Sequence, residues 1–215
     1  MSRFLGKIHF WLYDKIKYAE ELEKKLEGYA LAQQELPAGE WKESISERFG
    51  KALDGKLLED VIDVTNIHGW LQERIKGVET RQAAWISYIV SERPESISEL
   101  ERLFEEDGKE KGILATAMYD ITSLEDAYNV LNNFILEGMP CDNIDQIMEN
   151  NEEHFKWIST RCIHSGNWAQ VGGDIKLFYN FRMQWIKGFI TSMNKGYTFK
   201  VEYSGVKRIN TILNK

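Results

Sequence analysis

The sequence predicts an all-α fold: an antiparallel helical bundle of about five long helices, with short additional helices and a C-terminal extended segment. Two observations predict it. Apolar residues recur at spacings of three and four along five separate stretches. Only three prolines occur in 215 residues, so few positions forbid a long helix. No repeat or linker divides the chain, and residues 1–215 read as a single domain.

The first predicted helix covers about Arg3 to Glu27. Ile8, Leu12, Ile16, Ala19, Leu22 and Leu26 form its stripe, and Gly28 reads as its stop. Leu36-Pro37-Ala38-Gly39 is a connection, followed by a short helix over Glu40 to Phe49 and a turn at Asp54-Gly55. The second long helix runs from about Lys56 to Ile75 on Leu57, Val61, Val64, Leu71 and Ile75, ending before Gly77. The third covers about Thr80 to Glu92, ended by Pro94. Ser96 with Glu99 makes a capping box for a short helix that fades at Asp107-Gly108. The fourth covers about Lys111 to Leu136, with Leu114, Ala117, Ile121, Leu124, Tyr128, Leu131 and Ile135 in register. Asp142 caps the fifth, Asn143 to Cys162, which carries Ile144, Ile147, Met148, Phe155 and Ile158. A glycine-containing loop follows, and Asp174 caps a last helix to about Met193. The tail from Tyr197 to Tyr203 alternates with period two and reads as a lone strand or extended segment.

Composition excludes several classes of function. The net charge is −7, which disfavours nucleic acid and anionic membranes as partners. No run reaches the ~18 apolar residues of a membrane span. The N-terminus lacks the cleavage pattern of a signal peptide, so a cytoplasmic location is expected. Two cysteines, Cys141 and Cys162, cannot build a disulfide framework.

The informative positions are polar residues at core spacing, because burying an unpaired polar group is costly. His9 sits with Leu5, Leu12 and Ile16, and His68 with Val61, Val64, Leu71 and Ile75. His154 shares a stripe with Ile147, Asn151 and Ile158, and Arg182 one with Ile175, Phe178, Trp185 and Phe189. Asp120, on the edge of the fourth stripe, is the candidate partner of Arg182. The loop before the last helix would form a mobile rim, placing His164 and Trp168 beside Arg182.

If these faces meet, His9, His68 and His154 could hold a divalent transition metal, Zn, Fe or Mn. Arg182, Asn151, Asp120, His164 and Trp168 would then bind a small anionic molecule. Glu-x-x-His is absent, because position 65 is Thr and position 151 is Asn. His-Glu-x-x-His is absent too. The expected function is a metal-binding bundle, in its stronger form a metal-dependent enzyme acting on that small anion. Two alternatives stand beside it: a metal-free small-molecule binder, and a structural or interaction module with satisfied polar core residues. Trp11, Trp41 and Trp70 are candidates for a homodimer face.

Overall fold

The fold is mixed α/β, which corrects the all-α expectation: eight α-helices accompany a four-stranded antiparallel sheet among the described residues. A computed structural model describes residues 5–193, 196–204 and 207–214. The expected start of the first helix at Arg3 lies outside them. The chain divides into two compact units, each assembled from stretches far apart in sequence.

The first unit comprises the described residues of Met1–Ile97, with Ile135–Met139 and His164–Ile175. Its long helices are α1 (Lys7–Ala32) and α4 (Ile67–Glu92). Shorter ones are α2 (Ala38–Phe49), α3 (Leu58–Val61) and, later in the chain, α7 (Ser165–Ala169). Leu12, Tyr13 and Ile16 of α1 pack in one core with Ile67, Leu71, Ile75 and Val78 of α4. Asn66 caps α4, its side chain accepting from the Gly69 N–H at 3.2 Å. The expected helix over Lys56 to Ile75 is corrected here. Only four residues of its first half are helical, as α3, and the second half runs unbroken through Gly77 into the expected third helix. A glycine just past the last residue of an apolar stripe reads as a stop, but Val78 directly continues the buried stripe.

The second unit comprises Ser98–Phe134, Pro140–Ile163 and the described residues of Lys176–Lys215. It holds nearly all of α5 (Ile97–Met118), together with α6 (Leu124–Phe134) and α8 (Ile175–Thr191). Its strands are β1 (Asp145–Asn150), β2 (His154–Ser159), β3 (Tyr197–Ser204) and β4 (Lys207–Asn214), in the order β1-β2-β4-β3. The expected helix over Asn143 to Cys162 is in fact the β1–β2 hairpin. Phe155, Trp157 and Ser159 are buried in alternation, a period of two that Ile144, Ile147 and Met148 concealed. The expected lone C-terminal strand exists as β3, paired along its length with β4. On one face Phe155 of β2, Ile212 of β4 and Phe199 of β3 stand in a row. The Tyr128 ring of α6 covers that face, 4.6 Å from Phe155 and 4.9 Å from Trp157.

Helices α5 and α8 cross at very short range through glycine. A Cβ on Gly108 would stand 2.1 Å from the Trp185 carbonyl oxygen, and one on Gly188 2.1 Å from that of Glu105. Gly108 and Gly112 therefore sit inside one continuous helix because a neighbouring backbone needs the space, not because the helix ends there. Phe104 stacks on Phe181, and the Trp185 indole N–H donates to Asp107 at 2.7 Å. The expected helix over Lys111 to Leu136 is broken between Met118 and Leu124, where Ser123 caps α6 and Asp126 accepts from Thr122 and Ser123.

Gly188→Ala is expected to cost about 1–3 kcal/mol, since the added methyl meets backbone that cannot yield locally. Gly28→Ala, in α1 with open space around it, is expected to stabilise by about 0.5–1 kcal/mol. Guanidinium denaturation of the two variants measures both.

Candidate functional site

The residues singled out from sequence fall in both units: His9, His68, His164 and Trp168 in the first, Asp120, Asn151, His154 and Arg182 in the second. His9, half-buried in α1, accepts from the Gly6 N–H through Nδ1 at 2.9 Å. Its ring lies 5.6 Å from that of His68, which is exposed. His154 belongs to the second unit. Its Nε2 bonds Glu149 and lies 3.2 Å from the side-chain amide of Asn151, in the β1–β2 turn. Among the described residues no three His, Cys, Asp or Glu side chains form a group able to hold a metal ion. The Arg182 guanidinium lies 5.6 Å from the Phe178 ring centre, over its own helix. Asp120 is exposed beyond the end of α5, because the helix that would have placed it on a stripe stops first. Cys141 and Cys162 are exposed, and neither forms a disulfide among the described residues.

His164 and Trp168 lie in the first unit and are buried, at 1% and 2% exposure. Trp168 is wall rather than mobile rim: a Cβ on Gly173 would touch it at 2.8 Å. His164 is clasped between carboxylates, Nδ1 3.1 Å from Glu79 of α4 and Nε2 3.3 Å from Glu137. The Asn167 amide donates to the second Glu79 oxygen at 2.6 Å. The carboxylates occupy opposite sides of the imidazole. Neither ring nitrogen is left to serve a ligand, and the three groups cannot converge on one ion.

The other flank of α4 carries a buried charge. Arg81 is 4% exposed and reaches Glu23 of α1 with a two-pronged contact, Nε at 2.7 Å and Nη2 at 2.9 Å. Its Nη2 also lies 3.4 Å from Glu20. Both Glu20 oxygens accept from the Leu53 N–H at 3.0 Å. Burial holds Glu20 and Glu23 above the ordinary carboxylate value of 4.5, although Arg81 pulls both down. Arg81 and Glu23 also line the inner part of a cleft of about 790 Å³, a volume within the roughly 300–1,000 Å³ of small-molecule sites.

The cleft is walled by charge. Nine of its twelve lining residues are ionisable, five carboxylates and four cations. Three of the cations are already matched: Arg81 to Glu23, Lys24 to Asp54 at 3.1 Å, and Lys42 to Glu27 at 2.7 Å. The Glu27 contact holds the Lys42 ammonium above its usual range. Glu43 and Glu47, one turn apart on α2, have no cation against them among the described residues.

Most of these residues carry a signal in the sequence. Glu20 follows Ile16 by four and Glu23 precedes Leu26 by three, so both continue the buried stripe of α1. Arg81 lies three beyond Val78 and four before Trp85. Ending a helix at Gly77 removes it from that stripe. Glu137 lies outside any helix and has no periodic signal.

Comparison with protein-family models, curated proteins and solved structures finds no match.

Arg81→Met leaves two buried carboxylates without their cation, and is expected to cost about 3–5 kcal/mol near neutral pH. Because the fold raises both glutamates, their contribution to stability is full below 4.5 and is lost as pH rises through their folded values. The deficit of the variant should therefore shrink as pH falls from about 7 towards 5. Urea unfolding of the variant and the parent protein at the two pH values measures it.

Proposed function

We propose that the protein is a metal-free binder of a small cationic molecule, held in the cleft of the first unit. The observation that carries this reading is the imbalance of the cleft wall. Glu43 and Glu47 line the cavity with no ion pair among the described residues, while Arg81, Lys24 and Lys42 are each taken up by a carboxylate, which leaves Lys51 of that wall to set against two carboxylates. An ammonium group lodged between Glu43 and Glu47 would meet two acceptors at once. The deeper carboxylates, Glu20 and Glu23, add negative potential behind it.

Two features support a binding role for this place. Arg81, fixed at two of its donor nitrogens by buried carboxylates, gives the cleft a rigid inner end. The volume suits a molecule of several carbon and nitrogen atoms. The anionic ligand suggested by Arg182 has less support, because that guanidinium lies over the Phe178 ring of its own helix. The metal reading has no gathered ligand set behind it among the described residues.

A linear diamine or triamine is the probe. Titrated against the full chain at low salt, it should raise the melting temperature in a saturable way, as ligand binding to the native state does. Glu43→Gln with Glu47→Gln should abolish that shift, while leaving the unliganded melting temperature within a few degrees, because both side chains are exposed. A dicarboxylate of equal length should give none. No saturable response to amines, or an equal response in the double variant, would overturn the proposal.

A further inference from the structure

Strand β3 ends the sheet, and its outer edge pairs with no other strand among the described residues. Such an edge offers unpaired N–H and C=O groups to another strand. The sequence of β3, Tyr-Thr-Phe-Lys-Val-Glu-Tyr-Ser, has a particular symmetry about Val201. A second copy laid antiparallel against it, with the two-fold axis at Val201, sets Lys200 opposite Glu202 and Glu202 opposite Lys200. Phe199 then faces Tyr203, Tyr203 faces Phe199, and Val201 faces its own counterpart.

We propose that β3 is the dimer contact of this protein, and that its occupant is β3 of a second copy. Charge chooses both the partner and the register. Moving the axis one residue to Lys200 sets two lysines face to face, and moving it to Glu202 does the same with two glutamates, which is unfavourable directly across strands. Lys200 and Glu202 are exposed at 49% and 59% of their side chains, and stand on one face, 4.0 Å apart. An edge lysine commonly discourages foreign strands. Here Glu202 two residues on cancels that repulsion for the chain's own copy.

The opposite face agrees. Phe199 and Val201 are half-buried and Tyr203 is 61% exposed, so the cover over this face thins along β3. Pairing would bring the same three side chains of the second copy against them, extending the four-stranded sheet to eight strands. The other end of the sheet, β1, lacks these properties. Its register against β2 is interrupted between Ile147 and Glu149, and a self-pairing centred at Met148 opposes Ile147 to Glu149 and Gln146 to Asn150 with no charge match. A contact of one strand pair is small, so the dimer is expected to be weak, with Kd on the order of 100 µM.

Sedimentation equilibrium of the full chain over a concentration series tests the proposal. The native chain should associate reversibly to a dimer. Lys200→Glu alone and Glu202→Lys alone should each weaken association by about tenfold to a hundredfold, through two like-charge oppositions. The double exchange should restore it, and a mixture of the two single variants should form the mixed dimer. Val201→Cys, in a chain with Cys141→Ser and Cys162→Ser, should cross-link to itself on mild oxidation, since directly opposed Cα atoms about 4.5–5.5 Å apart admit a disulfide. A chain that stays monomeric throughout the series would overturn the proposal. So would a dimer indifferent to the single reversals, a double exchange that fails to recover, or a Val201→Cys variant that dimerises without cross-linking.

Discussion

The first unit depends on how one buried guanidinium is neutralised. Arg81 lies at 4% exposure in the middle of α4, and an arginine keeps its charge wherever it is placed. Glu23 meets it with both oxygens, and Glu20 lies at the edge of hydrogen-bonding range. Because the two glutamates are three residues apart on α1, they fix the rotation and the axial position of α1 against α4. The apolar contacts on the same faces, Leu12 and Ile16 with Leu71, Ile75 and Val78, tolerate small slips far better than this pair does. Buried ion pairs add little net stability compared with apolar replacements. Their use here is to make one arrangement of the two helices correct.

The opposite flank of α4 is treated in the same manner. Glu79 receives His164 and Asn167, and Glu137 closes the far side of the imidazole. This ties two late stretches of the chain, 135–139 and 164–175, to a helix formed early in the sequence. Such a saturated cluster resembles a clasp more than a reactive centre. The open, unsaturated charge of the unit lies in the cleft, at Glu43 and Glu47, and that contrast locates the binding proposal.

Much of the helical framework was legible in the sequence: α1, α2, the second half of α4 and α8 follow from apolar spacing and caps. The misread elements have two causes. Gly77 and Gly108 look like helix ends, but Gly108, like Gly112, is a helix interior where α8 comes close, a tertiary fact with no local signature. The β1–β2 hairpin was hidden because Ile144, Ile147 and Met148 fit helical spacing, while the deciding alternation is in Phe155, Trp157 and Ser159. For the site, His164 and Trp168 stand out in the sequence and are buried, and the carboxylates around His164 come from α4 and residue 137. Glu20, Glu23 and Arg81 followed the stripes and were legible in principle. Glu20 is followed by Glu21, and such an acidic run reads by default as a solvated face, which masks its place on the stripe.

A double-mutant cycle between Arg81 and Glu23, using Arg81→Met and Glu23→Gln, tests most directly whether this pair sets the packing of α1 on α4. Strong coupling in the free energy of unfolding is expected, about 2 kcal/mol or more, with the double variant less damaged than the sum of the single losses. Losses that add to within about 0.5 kcal/mol would show that the two side chains do not act as a unit, and would contradict this assignment of the pair.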